Sequence, residues 1–107
     1  MIAATTFDDI IRHFGGRERL HAIGARDLGA DDRHVSFRLA HPNPGGVRSV
    51  VVTLEPNGTF VMNCYGPLTA ETFTAQVVSG ASGVIAENLA TVLGRLTGIE
   101  TLHHHHY

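Results

Sequence analysis

Residues 82–98, Ser-Gly-Val-Ile-Ala-Glu-Asn-Leu-Ala-Thr-Val-Leu-Gly-Arg-Leu-Thr-Gly, limit the fold more than any other stretch of the chain. Val84, Ile85, Leu89, Val92, Leu93 and Leu96 recur at helical spacing, while Glu87, Asn88, Thr91 and Arg95 fall mostly on the other side. Ser82 is placed to cap the first turn, and Arg95 meets the negative end of the helix dipole. Gly98 suits the left-handed residue that ends a helix, with Ile99 folding back on Leu93. A helix with one apolar side must cover an apolar surface. The chain before it supplies a run of strands.

In residues 35–39, Val35, Phe37 and Leu39 alternate with Ser36 and Arg38, the pattern of a strand with one buried face. Residues 47–54 form the strongest strand, with Val50, Val52 and Leu54 as its core set. The tight turn Glu55-Pro56-Asn57-Gly58 then signals a hairpin, and residues 59–65 return with Phe60, Met62 and Cys64 inward and Val61, Asn63 and Tyr65 outward. Between the first two of these strands, His41-Pro42-Asn43-Pro44-Gly45-Gly46 cannot continue a ladder.

The remaining segments frame this meander. Thr6-Phe7-Asp8-Asp9 has the composition of a helix start, and Phe7, Ile10, Ile11 and Phe14 form one apolar stripe that stops at Gly15-Gly16. A shorter helical turn is expected over residues 17–23, with Leu20 and Ile23 inward and Gly24 as its stop. Residues 25–29 read as a weak strand and Ala30-Asp31-Asp32-Arg33 as a turn. Gly66-Pro67 breaks the ladder, residues 68–72 suit a short turn, and residues 73–79 fit either a last strand or more of that turn. Residues 80–83 are expected to hinge into the closing helix. The sum is an α+β domain over residues 1–102: an antiparallel β-meander of four to five strands, an N-terminal helical segment, and a C-terminal amphipathic helix on one face. Residues 103–107, a histidine run ending in Tyr107, are set aside as a tail.

With 43% hydrophobic and 17% charged residues, 107 residues build one real core and are not a disordered chain. The formal charge of −2 gives no global positive field for nucleic acid. Seven of the eight arginines nevertheless lie in residues 1–50, and there is no lysine. Cys64 stands alone, so no internal disulfide is expected; the first nine residues do not read as a signal peptide, and no apolar run reaches membrane length. The expectation is a cytoplasmic protein without membrane contact.

Candidate chemistry is sparse. His13, His21, His34 and His41, with Asp8 and Asp9, are the residue types a metal site needs, but only Asp9 and His13 are spaced to share a helix face. Cys64 points inward among Phe60 and Met62, where burial makes a thiol inert. Ser79 and Ser82 lack a nucleophile elbow, and Gly80 and Gly83 are too few for a phosphate loop. No catalytic residue, cofactor or metal is therefore assigned. The outer sheet face is the candidate interaction surface, with Arg38, Arg48, Val51, Val61 and Tyr65 on it. If Arg38 and Arg48 share that face with Tyr65, they make a stacking and phosphate-binding surface of the kind single-strand binders use, opposed by Asp27, Asp31 and Asp32 nearby.

The order of certain short motifs resembles a family of small proteins encoded by phages, plasmids and other mobile elements. The matching residues are Phe14-Gly15-Gly16, Gly24-Ala25-Arg26-Asp27-Leu28, Ser36-Phe37-Arg38-Leu39, and Gly83-Val84-Ile85-Ala86-Glu87-Asn88-Leu89 with Thr97-Gly98. Ile85 stands where the family pattern has an aromatic residue, and the loop over residues 42–46 is this chain's own. The resemblance implies a soluble accessory protein of a mobile element and carries no catalytic residue. The functional expectation is a non-enzymatic protein acting by protein–protein contact, as a homodimer or on a host partner, with a host-defence (anti-CRISPR-like) inhibitor as its specific form. The alternative is a small nucleic-acid-binding protein using the arginine-bearing sheet face.

Overall fold

The hairpin signalled by Asn57-Gly58 is the centre of the sheet. In the computed structural model, which describes residues 2–30, 33–67 and 77–99 and side chains from residue 8 onward, Ser49–Leu54 and Phe60–Tyr65 pair antiparallel in unbroken register from Ser49↔Tyr65 to Leu54↔Phe60. The turn is a three-residue loop. Gly58 N–H donates to Glu55 C=O at 2.9 Å, and Gly58 takes φ 89°, a conformation that costs glycine little. The Asn57 side chain accepts from the Thr59 amide and hydroxyl, at 3.1 and 2.8 Å, which fixes the return of the chain.

Five strands extend this hairpin in meander order: β1 (Ala25–Ala30), β2 (His34–Leu39), β3 (Ser49–Leu54), β4 (Phe60–Tyr65) and β5 (Val77–Val84), all antiparallel. Helices α1 (Ile2–His13), α2 (Arg17–Ala22) and α3 (Leu89–Thr97) cover one face. The protein is α+β, as its hydrophobic pattern predicts. One core forms between the layers: Ile10, Phe14, Leu20, Leu89 and Leu93 from the helices meet Val35, Phe37, Val50, Val52, Met62 and Cys64 from the sheet. Phe14 and Phe37 lie edge to face, with ring centroids 5.8 Å apart. In β2, β3 and β4, the buried residues are those that period-2 alternation selects, although Leu54 is only half-buried.

Several boundaries differ from the sequence reading. Ser82, Gly83 and Val84 belong to β5 and not to the closing helix, so Ser82 caps nothing and residues 80–83 are no hinge. A single 3-10 turn, Ala86–Asn88, precedes α3, whose first residue is Leu89. The reason is pairing with β4: Phe60↔Val84, Met62↔Ala81 and Asn63↔Gly80 satisfy backbone groups that a helix carrying two glycines would hold weakly. Ser82 and Gly83 face the single Val61, a bulge in which Gly83 takes φ 65°. Ile85, expected on the apolar helix face, is 48% exposed. The C-terminal signals behave as read, with Gly98 left-handed at φ 78° and Ile99 packed on the core.

At the other end, α1 begins at Ile2, so Thr6 is inside the helix and is not its cap. Ala3 and Ala4 are strong helix formers that carry the helix back past the polar residues. Val47 is buried but precedes β3 by two residues, held by Asn43, whose amide donates to Val47 C=O at 2.7 Å and accepts Val47 N–H at 2.9 Å. The turn at Asp31-Asp32 and the segment over residues 68–76 lie outside the described residues.

Candidate functional site

With all three helices on one side, the opposite sheet face carries the side chains that alternation turns outward. Register arranges them in rows. At one end a row runs across all five strands: Arg26, Arg38, Ser49, Tyr65 and Val77 are successive partners. Arg38 and Tyr65 thus do share the outer face. Val51, in the next row, lies between Ser36 and Asn63, and Val61 pairs with Thr53. Arg48 sits one residue before β3, opposite the core-facing Leu39, and meets Arg38 only at the cleft that both line.

At that end Arg26, Asp27, Arg38, Leu39, Ala40 and Arg48 line a cleft of about 410 Å³. Its walls are fixed by backbone bonds. Arg48 C=O accepts from Leu39 N–H at 2.8 Å, Arg48 N–H donates to Tyr65 C=O at 2.7 Å, and Ala40 N–H donates to Gly24 C=O at 2.8 Å. Each arginine therefore projects from an anchored main chain, although the three side chains are exposed.

Arg26 and Asp27 join the site through a bulge that the sequence reading missed. Between the pairs Arg26↔Arg38 and Gly29↔Ser36, β1 has two residues and β2 has only Phe37. Asp27 absorbs the extra residue at φ 57°, one of the few non-glycine types that tolerate this conformation. Regular alternation would turn Asp27 into the core and Leu28 out. The bulge reverses both, so Leu28 packs on the core and the Asp27 carboxylate reaches Arg38 at 3.3 Å. Arg26 donates to Ala25 C=O at 3.2 Å. No carboxylate pairs with Arg48 among the described residues. Gly29 inside a strand pattern is the sequence signal for a bulge here.

The metal candidates do not converge. His13 ends α1, His21 is on α2, His34 opens β2, and His41 lies over Gly24. Asp9 bonds Arg12 at 2.7 Å and not His13. Among the described residues, no three His, Cys, Asp or Glu side chains are grouped to hold a metal ion. Cys64 is buried under the sheet, and burial pushes its thiol up from the ordinary value of 9.0. Its register partner Ser79 offsets part of that rise without a full hydrogen bond, since the Ser79 hydroxyl is buried with no hydrogen-bond partner. A thiol held protonated in this way is a poor nucleophile. No helix among the described residues is long and apolar enough to cross a membrane.

No protein-family model, curated protein or solved structure matches the chain.

Proposed function

We propose that this chain is a non-enzymatic accessory protein of a mobile element that works by contact with a protein partner through the open face of its sheet. One observation supports the reading above others. Val51, Val61 and Tyr65 on that face continue at β5 into Val77, the partner of Tyr65, which is 56% exposed beside Val78 at 49%. No described element covers these side chains, and exposed apolar residues beside half-buried ones on an open face favour an interaction surface.

The face, and not the edges, is the contact. Both edge strands are bulged, β1 at Asp27 and β5 at Val78 and again at Ser82-Gly83, whereas β2, β3 and β4 pair regularly. Bulged edges resist strand-to-strand addition. Self-association through the face is the simplest case, and inhibition of a host-defence protein is the more specific one. Sedimentation over a concentration series tests it with wild type and Val61→Asp. Self-association abolished by the variant supports the reading. A wild-type monomer at the highest concentration, with nothing retained from host lysate, counts against it.

A second reading, a small single-stranded nucleic-acid binder, draws on Arg38 and Tyr65 in one row of the open face and on Arg48 in the cleft beside it. A gel shift with short single-stranded DNA or RNA that weakens as salt rises is its expected signature. No shift at low salt removes it.

A further inference from the structure

We propose that Arg26, Arg38 and Arg48 form a binding site for a phosphate group, with Asp27 as an internal carboxylate that occupies Arg38 until the phosphate displaces it. The inference begins from an arrangement that is unfavourable by itself. Arg26 and Arg38 are direct partners across β1 and β2, and like charges placed opposite each other destabilise a sheet. Arg48 brings a third guanidinium to the same cleft. Among the described residues, the only carboxylate lining it is Asp27, against three guanidinium groups, in a chain whose net charge is −2. A phosphate dianion supplies the missing charge.

The geometry matches in other respects. Guanidinium groups bind phosphate oxygens through paired N–H donors, and all three cations here are arginines. The cleft, at about 410 Å³, is within the size range of small-molecule sites. Its backbone framework is held by the bonds of Arg48 to Leu39 and Tyr65, so the ordering cost of binding falls on the three side chains alone. The Asp27–Arg38 contact is 3.3 Å long between two well-exposed side chains, a weak pair that a better-charged anion replaces. The β1 bulge aims the carboxylate there.

The phosphate can come from a free phosphate or mononucleotide, or from a nucleic-acid backbone whose base stacks on Tyr65. NMR titrations of the full chain with inorganic phosphate, and separately with a short oligothymidylate, distinguish these. Phosphate is expected to shift the Arg26, Arg38 and Arg48 side-chain signals. Arg38→Gln and Arg48→Gln should each weaken binding about tenfold. Asp27→Asn should strengthen it several-fold, and Arg95→Gln, on α3 and not part of the cleft lining, should leave it unchanged. An oligonucleotide that binds more tightly than phosphate, and loses that advantage in Tyr65→Ala, assigns the site to a nucleic-acid backbone. Phosphate binding without that advantage assigns it to a small ligand and leaves the site standing while the nucleic-acid reading fails. Folded protein that binds neither probe at low salt overturns the proposal. So does binding that survives both Arg38→Gln and Arg48→Gln, or that Asp27→Asn weakens.

Discussion

Asp27 reaches Arg38, 3.3 Å away on the neighbouring strand, because its own backbone is left-handed at φ 57°. One residue thus sets both the course of β1 and the charge of the cleft beside it. The two roles separate by substitution. Asp27→Val should lower stability by roughly 1–2 kcal/mol, since a β-branched residue is strained at positive φ. Asp27→Gly should match or exceed wild type, because an ion pair this exposed contributes only about 0–1 kcal/mol. Urea unfolding followed by circular dichroism measures both.

The boundary between β5 and α3 has its own test. Leu93 is fully buried in α3, and Leu93→Ala should cost about 2–5 kcal/mol. Ile85 is 48% exposed between the two elements, so Ile85→Ala should change stability by no more than about 0.5 kcal/mol. Equal losses for the two would restore Ile85 to an inward helical face.

Gly45 and Gly46 are adjacent but are constrained differently. A side chain on Gly45 would collide with the Leu96 carbonyl and the Thr97 backbone, so Gly45→Ala should cost roughly 1–3 kcal/mol. Gly46 has open space around it but a φ of 69°, and Gly46→Ala should cost about 1 kcal/mol from backbone strain alone. Denaturation midpoints for the pair give the order.

Cys64 predicts a pH dependence. Burial raises its folded value above the unfolded 9.0, so the folded state holds its proton where the unfolded chain has lost it. The resulting stability is complete below pH 9 and is lost as pH rises from there through the folded value. Cys64→Ala should remove this alkaline decline, although it also lowers stability at every pH by leaving a small cavity. Chemical denaturation at a series of pH values between 8 and 11 measures the slope, and an identical slope in the variant refutes the assignment.

The legible parts of the fold are those where one face is buried along a whole element. Val35, Phe37 and Leu39, or Phe60, Met62 and Cys64, repeat often enough that no helical period fits them. Val84 and Ile85 are only two residues, and two apolar neighbours satisfy the beginning of a helix as well as the end of a strand. Pairing with Phe60 decided between them, and that information lies 24 positions away. The cleft was half legible for a related reason. Arg38 follows from alternation and Arg48 from proximity, but Arg26 and Asp27 depend on a bulge that breaks the period by which strands are recognised.

The connection over residues 40–48 reads as a surface excursion, yet Gly45 N–H donates to Thr97 C=O at 2.9 Å and Pro44 lies against Gly98. One of the carbonyls that a helix end normally leaves to water is therefore held by a segment from the middle of the chain. Fraying of the final helical turn and detachment of that excursion are then a single event. Amide protection at Gly45 reports on the last turn of α3, more than 50 residues further along the chain.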